Sequence, residues 1–401
     1  MAKNQYKKEP LKNNVEEMFI GPFGSSLKNE CFVDEEDAYC MVYEQKHAIQ
    51  KTLDGKNRFV DKNKYYELKR FTIKPGDIIV SCRGTIGETF IVPENAPLGI
   101  MHPSIMKIRL KPNVYNIEYF NLLLKNRLKD YNKSANGSGI KMAISATELG
   151  KELFPIPPMD EQQKTSKIFL IVNHLILLRQ QQLAKLDELV KARFVEMFGD
   201  VFLNPMEWPE KTLESIADIV SGITKGRKTT ETDLQEVPYM AVSNVKDGYI
   251  DWTAVKTILA TRQEIEQYRL MPDDILMTEG GDPDKVGRGA IIKVPLKNSI
   301  HQNHIFRVRL DEQEILPSFF AEYLRHQKAK RYFLGCAKQT TGIASINMRQ
   351  LRALPTLVPP LSLQKQFAAF VERVDQQKQT VQRSLEKLEL LKKALMQEYF
   401  G

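Results

Sequence analysis

Histidines, cysteines and carboxylates are where catalytic chemistry would first show. His301 and His304 stand three apart. On a strand only alternate residues share a face, so this pair makes a poor start for a metal site. Cys31, Cys40, Cys82 and Cys336 have neither C-x-x-C spacing nor a histidine at zinc-site distance, and read as reduced, mostly core thiols. Pro272-Asp273 and Pro283-Asp284 resemble the opening of a nuclease site, but no acidic-x-Lys triplet follows nearby. Gly137-x-Gly139 and Gly287-x-Gly289 each lack the third glycine of a dinucleotide turn, and there is no G-x-x-x-x-G-K-S/T run to cradle phosphates. Asn204-Pro205-Met206-Glu207-Trp208 lacks the second proline and the aromatic of an amino-methyltransferase tetrapeptide. The expectation is a chain with no catalytic residue, no metal ligand and no cofactor of its own.

What the sequence does carry is a repeat. Lys185-Leu186-Asp187-Glu188-Leu189-Val190-Lys191-Ala192 falls on Lys387-Leu388-Glu389-Leu390-Leu391-Lys392-Lys393-Ala394. Pro157-Pro158 with Gln162 falls on Pro359-Pro360 with Gln364, Lys107-Ile108-Arg109-Leu110 on Arg307-Val308-Arg309-Leu310, and Pro75-Gly76-Asp77-Ile78-Ile79 on Pro272-Asp273-Asp274-Ile275-Leu276. The matches keep their order and drift slowly in offset, as a duplicated unit with loop insertions would.

Each half reads as a globular segment followed by a long helix. Each double proline marks a helix start. Apolar residues then recur in steps of three and four, at Ile168, Val172, Leu175, Leu183, Leu186, Val190, Phe194 and Met197, and at Phe367, Phe370, Val374, Val381, Leu385, Leu388, Leu395 and Tyr399. Two such half-apolar helices predict an antiparallel coiled coil about a pseudo-twofold axis; packing of each helix on its own domain is the simpler alternative. In the globular segments, Phe71–Ile73, Ile78–Val80, Phe90–Val92 and Ile105–Leu110 read as strands, with Ile117–Leu128 as a helix. Ile275–Met277, Ala290–Val294, Ile305–Leu310 and a helix over Leu316–Phe333 repeat the pattern. The fold class is α+β, with domains over 1–156 and 200–358 and helical spacers over 157–199 and 359–401.

The chain has 401 residues, 42% of them hydrophobic and 27% charged, enough for sizeable cores. A net charge of +8 suits a nucleic-acid partner without requiring one. The polar start predicts no signal peptide. The longest apolar run, Ile168–Leu178, is broken by Asn173 and His174 and is too short for a membrane span. A cytoplasmic location with no membrane partner is expected.

These halves, each closed by a P-P-x-x-x-Q turn into a long helix, resemble the DNA specificity subunit of type I restriction–modification systems. Gly139-Ile140 and Gly342-Ile343 ahead of the turns, Gly76-Asp77-Ile78-Ile79, and Ser221-Gly222-Ile223-Thr224 add to the resemblance. Ser362-Leu363-Gln364, without an acidic residue before the glutamine, departs from the family pattern, and Ile20–Ser26 aligns only loosely with its counterpart. The resemblance implies two target-recognition domains that read a bipartite site on double-stranded DNA. It implies helices that dock two methyltransferase subunits, with restriction subunits completing the complex. S-adenosylmethionine and ATP/Mg would sit on those partners. Two domains meeting one face of a duplex would stand about one helical turn apart, roughly 34–36 Å.

Base edges give specificity and phosphates give most of the affinity, and polar loops serve both. The DNA-contact candidates in the first half are Ser25, Ser26, Lys28, Ser81, Arg83, Thr85, Ser138 and Lys141. In the second they are Lys225, Arg227, Lys228, Ser243, Asn244, Thr278, Glu279, Gln339, Thr340 and Thr341. The basic Thr224–Thr229 run is the foremost phosphate-binding candidate, and Gln180–Gln182 is either a wet face or a docking face. A coiled-coil scaffold without DNA readout, and a stand-alone DNA-modifying enzyme, are the rival readings.

Overall fold

The computed structural model describes residues 6–135, 144–227, 232–282, 285–340 and 343–401. The chain folds as two compact units, Met1–Leu178 with Leu385–Gly401, and Arg179–Ser384.

In the first unit an antiparallel sheet runs in the order Val15–Ile20, Ile105–Leu110, Ile78–Ser81, Thr89–Ile91. Ile78, Ile79 and Val80 are β-branched and fully buried, as a central strand covered on both faces requires. Their alternation sends Ile78 and Val80 into a core with Phe120 and Phe154. Ile79 packs on the other face with Tyr43 and Ile105. A second sheet runs Phe59–Val60, Cys40–Tyr43, Gly99–Met101, Thr72–Ile73, and its central pair is parallel.

The second unit has the same order in its main sheet: Ala217–Ser221, Ile305–Leu310, Ile275–Thr278, Gly289–Ile291. Its other sheet, Lys256–Thr261, Leu234–Met240, Ile300–His301, again contains a parallel pair. Mixed helix and strand in both units is the α+β class.

The repeated Pro-x-Asp stretches now have a reason. The middle residue, Gly76 or Asp273, takes a left-handed φ of 79° or 67°, and the chain turns so that the next Asp points inward. Buried Asp77 accepts two bonds of 2.7 Å from the Arg109 guanidinium and one from the Lys74 amide. Buried Asp274 does the same with Arg309, at 2.8 Å, and the Met271 amide. Such forked, charge-assisted pairs fix the edge where each central strand begins.

The helix expected over Leu316–Phe333 is two helices, Pro317–Arg325 and Gln327–Cys336. His326 interrupts them in extended conformation, and its ring stacks on Phe194 at 4.6 Å. Apolar spacing continues through the break, so the sequence pattern did not reveal it.

Helices of 40 residues span Met159–Phe198 and Leu361–Phe400. In the first unit Phe169 packs on Tyr399 and Phe400. In the second, Phe194 and Phe198 pack on Phe367, and Lys378 pairs with Asp187 at 2.6 Å. Of the expected stripes, Val172, Leu186, Val190 and Phe194 on one helix and Phe367, Val374, Val381 and Leu385 on the other are buried, and the departures lie mainly near the helix ends. Phe169 and Phe198 are inside where Ile168 and Met197 were expected, and Leu175 is 38% exposed. There the larger aromatic rings of Phe169 and Phe198 fill the inter-helix space. Among the described residues no helix is long and apolar enough to cross a membrane.

Candidate nucleic-acid interface

The loops of the first unit gather at one end of its sheets. The Ile78–Ser81 and Thr89–Ile91 strands close in a hairpin whose tip turns at Gly84 and Gly87, with φ of 67° and 85°. Arg83 and Thr85 are exposed on that tip. Ser81 is not: it is buried, and its hydroxyl accepts a 2.9 Å bond from the Glu88 amide. It shapes the hairpin and does not face a ligand, so its candidacy as a reader is withdrawn.

Beside the tip lies the turn that leaves the parallel strand, Glu44-Gln45-Lys46-His47. His47 Nδ1 accepts from the Glu44 amide and its Nε2 meets Asn57 Oδ1, both at 2.9 Å. Glu44 sits 3.4 Å from both Arg58 and Lys46. His102 is close by: burial lowers its pKa, with Glu44, Arg58 and Arg83 near enough to act on it. Gly21 anchors the neighbouring loop, since a β-carbon there would lie 2.3 Å from the His102 carbonyl oxygen. That loop carries exposed Ser25, half-buried Ser26 and exposed Lys28, which lies 3.7 Å from Glu30.

In the second unit the equivalent hairpin ends in Thr278 and Glu279. Thr278 is fully buried, so a reader's role for it is withdrawn too. Half-exposed Glu279 uses Oε2 to bind His304 Nδ1 at 2.5 Å. Ser243 is exposed, but Asn244 is buried. Its Oδ1 caps the Ala241 amide and its Nδ2 donates to the Asp251 carbonyl, both at 2.9 Å. All of its polar capacity goes to the turn, which corrects the expectation that it contacts DNA. Lys225 is exposed, whereas Arg227 is held bidentately by Glu264, which raises the Arg227 pKa further. The expected phosphate-binding run therefore offers less positive charge than its composition suggests. Gln339 and Thr340 belong to the short Lys338–Thr340 strand beside Ile343–Ser345. Ser138, Lys141, Lys228 and Thr341 lie outside the described residues.

The two histidines considered for a metal have separate environments. His301 is buried between the Val220 and Tyr268 carbonyls, its pKa pushed down to about 4, chiefly by burial. His304 faces outward to Glu279. Among the described residues no three His, Cys, Asp or Glu side chains gather as a metal site would need. Arg58 and His102 were not singled out by sequence reasoning.

A family model described as the type I restriction modification DNA specificity domain matches residues 36–188 and 205–390. The putative type I restriction enzyme MjaX specificity subunit of Methanocaldococcus jannaschii is 29% identical over 198 residues, 49% of this chain and 46% of that protein. The EcoKI specificity subunit of Escherichia coli K12 is 24% identical over 270 residues, 63% of this chain and 56% of that protein. The chain thus spans about half the length of these relatives. The S subunit of a type I restriction–modification system from M. genitalium has a similar fold, with TM-score 0.57, 16% identity, and coverage of 100% of this chain and 98% of that one. A chain from a structural study of type I R-M system assembly has TM-score 0.59 at 14% identity, with the same coverage.

Proposed function

The chain belongs to the type I restriction–modification DNA specificity family, and on that premise we propose that it reads a split, asymmetric site on double-stranded DNA for partner methyltransferase and restriction subunits. One observation carries this reading. Equivalent hairpins in two units of one strand order present different chemistry, Arg83 in one and Glu279 in the other. An arginine suits a guanine edge or a phosphate. A carboxylate accepts, for example from cytosine N4, and with Oε2 on His304 the Glu279 Oε1 is left for that task.

In this reading the chain supplies recognition and no chemistry, and S-adenosylmethionine and ATP/Mg belong to the partners. The recognition domains are 1–156 and 200–358, products of a duplication, and 157–199 and 359–401 are spacers. The test is methylation mapping with the assembled methyltransferase. Arg83→Ala is expected to relax or weaken one half-site, and Glu279→Ala the other, by about tenfold. A continuous palindrome, or equal disturbance of both half-sites by each substitution, would contradict the reading. So would methyl transfer by this chain alone.

The spacers are proposed to pair as an antiparallel coiled coil that docks the partners. The contacts of Phe169 with Tyr399, and of Phe198 with Phe367, support that direction. Cysteines replacing Ile168 and Met396 are then expected to crosslink efficiently. Efficient joining of 168 to 370 instead would rule the antiparallel arrangement out.

A further inference from the structure

We infer that a cavity in the first unit, between the start of the first long helix and the end of the second, receives a basic side chain from a partner methyltransferase subunit. The inference rests on the docking reading above and adds to it a seat and the charge of its guest.

The cavity has a volume of about 180 Å³ and is lined by Tyr6, Tyr119, Tyr399, Glu161, Glu398 and Thr165. Pockets for small molecules begin at roughly 300 Å³, so this one suits the end of a single side chain and not a nucleotide or S-adenosylmethionine. No Lys, Arg or His lines it, and among the described residues neither carboxylate has a basic partner. Tyr6 donates to Glu161 Oε2, which leaves Oε1 for a guest. Glu398 is exposed in the last turn of its helix, where the helix dipole disfavours a negative charge and a cation offsets it. Tyrosine faces attract cations as well. Thr165 is only 5% exposed, and its hydroxyl has no hydrogen-bond partner among the described residues.

The second unit shows that the fold does not require this opening. The repeat matches Tyr6 to Trp208, Tyr119 to Phe319, Glu161 to Leu363, Thr165 to Phe367 and Tyr399 to Met197. Those five residues lie in or against one apolar core. The same frame is closed by apolar side chains in one half and is open, polar and negative in the other. A cavity and an unmatched hydroxyl both cost stability. A duplicated fold that can fill this place, and does not, points to a group that enters it from outside.

The full chain would be titrated with its methyltransferase subunit in a calorimeter. Glu161→Gln and Glu398→Gln are each expected to weaken one of the two binding events about tenfold, as loss of a charged hydrogen bond does. Glu148→Gln, at an exposed carboxylate elsewhere in the unit, should leave both unchanged. In the complex, p-benzoylphenylalanine in place of Tyr399 should attach under light to the methyltransferase subunit, at or beside a Lys or Arg that mass spectrometry identifies. Unchanged affinity with either cavity variant, equal weakening by Glu148→Gln, no attachment to that subunit, or attachment to a stretch without Lys or Arg would overturn the inference. If the parent chain does not bind the methyltransferase at all, the docking reading itself fails, and that shows before any variant is made.

Discussion

Gln162→Ala is expected to destabilise the first unit by about 3–5 kcal/mol, and Gln364→Ala the second by as much. Both glutamines are fully buried one turn inside a long helix. Gln162 Oε1 accepts from the Asn116 amide at 2.9 Å, and Nε2 donates to the Val114 and Pro157 carbonyls at 3.1 and 2.8 Å. Gln364 repeats this with the Leu316 amide and the Glu314 and Pro359 carbonyls, at 2.7, 3.1 and 2.8 Å. One side chain thus ties the helix start to the segment leading into the domain's own helix. Alanine strands three backbone groups away from water, each at about 1–3 kcal/mol before relaxation. Glutamate keeps only the acceptor and adds a buried charge, so it should be no milder than alanine. Urea unfolding followed by circular dichroism measures this; a loss under about 1 kcal/mol would show that the amide is not a structural tie.

Phe194→Ala is expected to cost the second unit about 3–5 kcal/mol. The ring is fully buried. It stands 5.0 Å from Phe198, 5.3 Å from Phe319, 5.4 Å from Phe367 and 4.6 Å from His326, measured between ring centroids. It therefore joins both long helices to the broken helix pair of the domain. Deleting it leaves a cavity with rigid aromatic walls that cannot collapse easily. Phe194→Leu should cost much less, because it keeps most of the volume. Equal unfolding midpoints for the alanine variant and the parent would refute the role given to this cluster.

The frame of each unit was legible where local chemistry and tertiary packing agree. Ile78–Val80 and Ile105–Leu110 are apolar runs bounded by turn residues, and both are strands in the main sheet. The double prolines precede helices beginning at Met159 and Leu361. Legibility ended where a decision depended on distant residues. Near its two ends the first long helix buries Phe169 and Phe198, which meet partners far along the chain, rather than the expected Ile168 and Met197. The break at His326 has no proline or glycine to announce it. Among candidate readers, Ser81 and Asn244 are short polar residues whose hydroxyl or amide is spent on the backbone, which looks the same in sequence as one facing solvent, and Thr278 ends a fully buried strand.

The turn leaving the parallel strand is built in two chemistries. Asn244 caps Ala241 in the second unit, and His47 caps Glu44 at the same 2.9 Å in the first. An amide oxygen accepts at any ordinary pH, but Nδ1 of histidine accepts only while unprotonated. Burial lowers the His47 pKa from its usual 6.5, so the folded turn resists the proton that the unfolded chain takes up. The stability this turn contributes is therefore intact above about pH 6.5 and declines as the medium acidifies toward the lowered value. Acid thus has a foothold at this turn in one half and none at the matching turn in the other, so two turns alike in backbone differ in chemical tolerance.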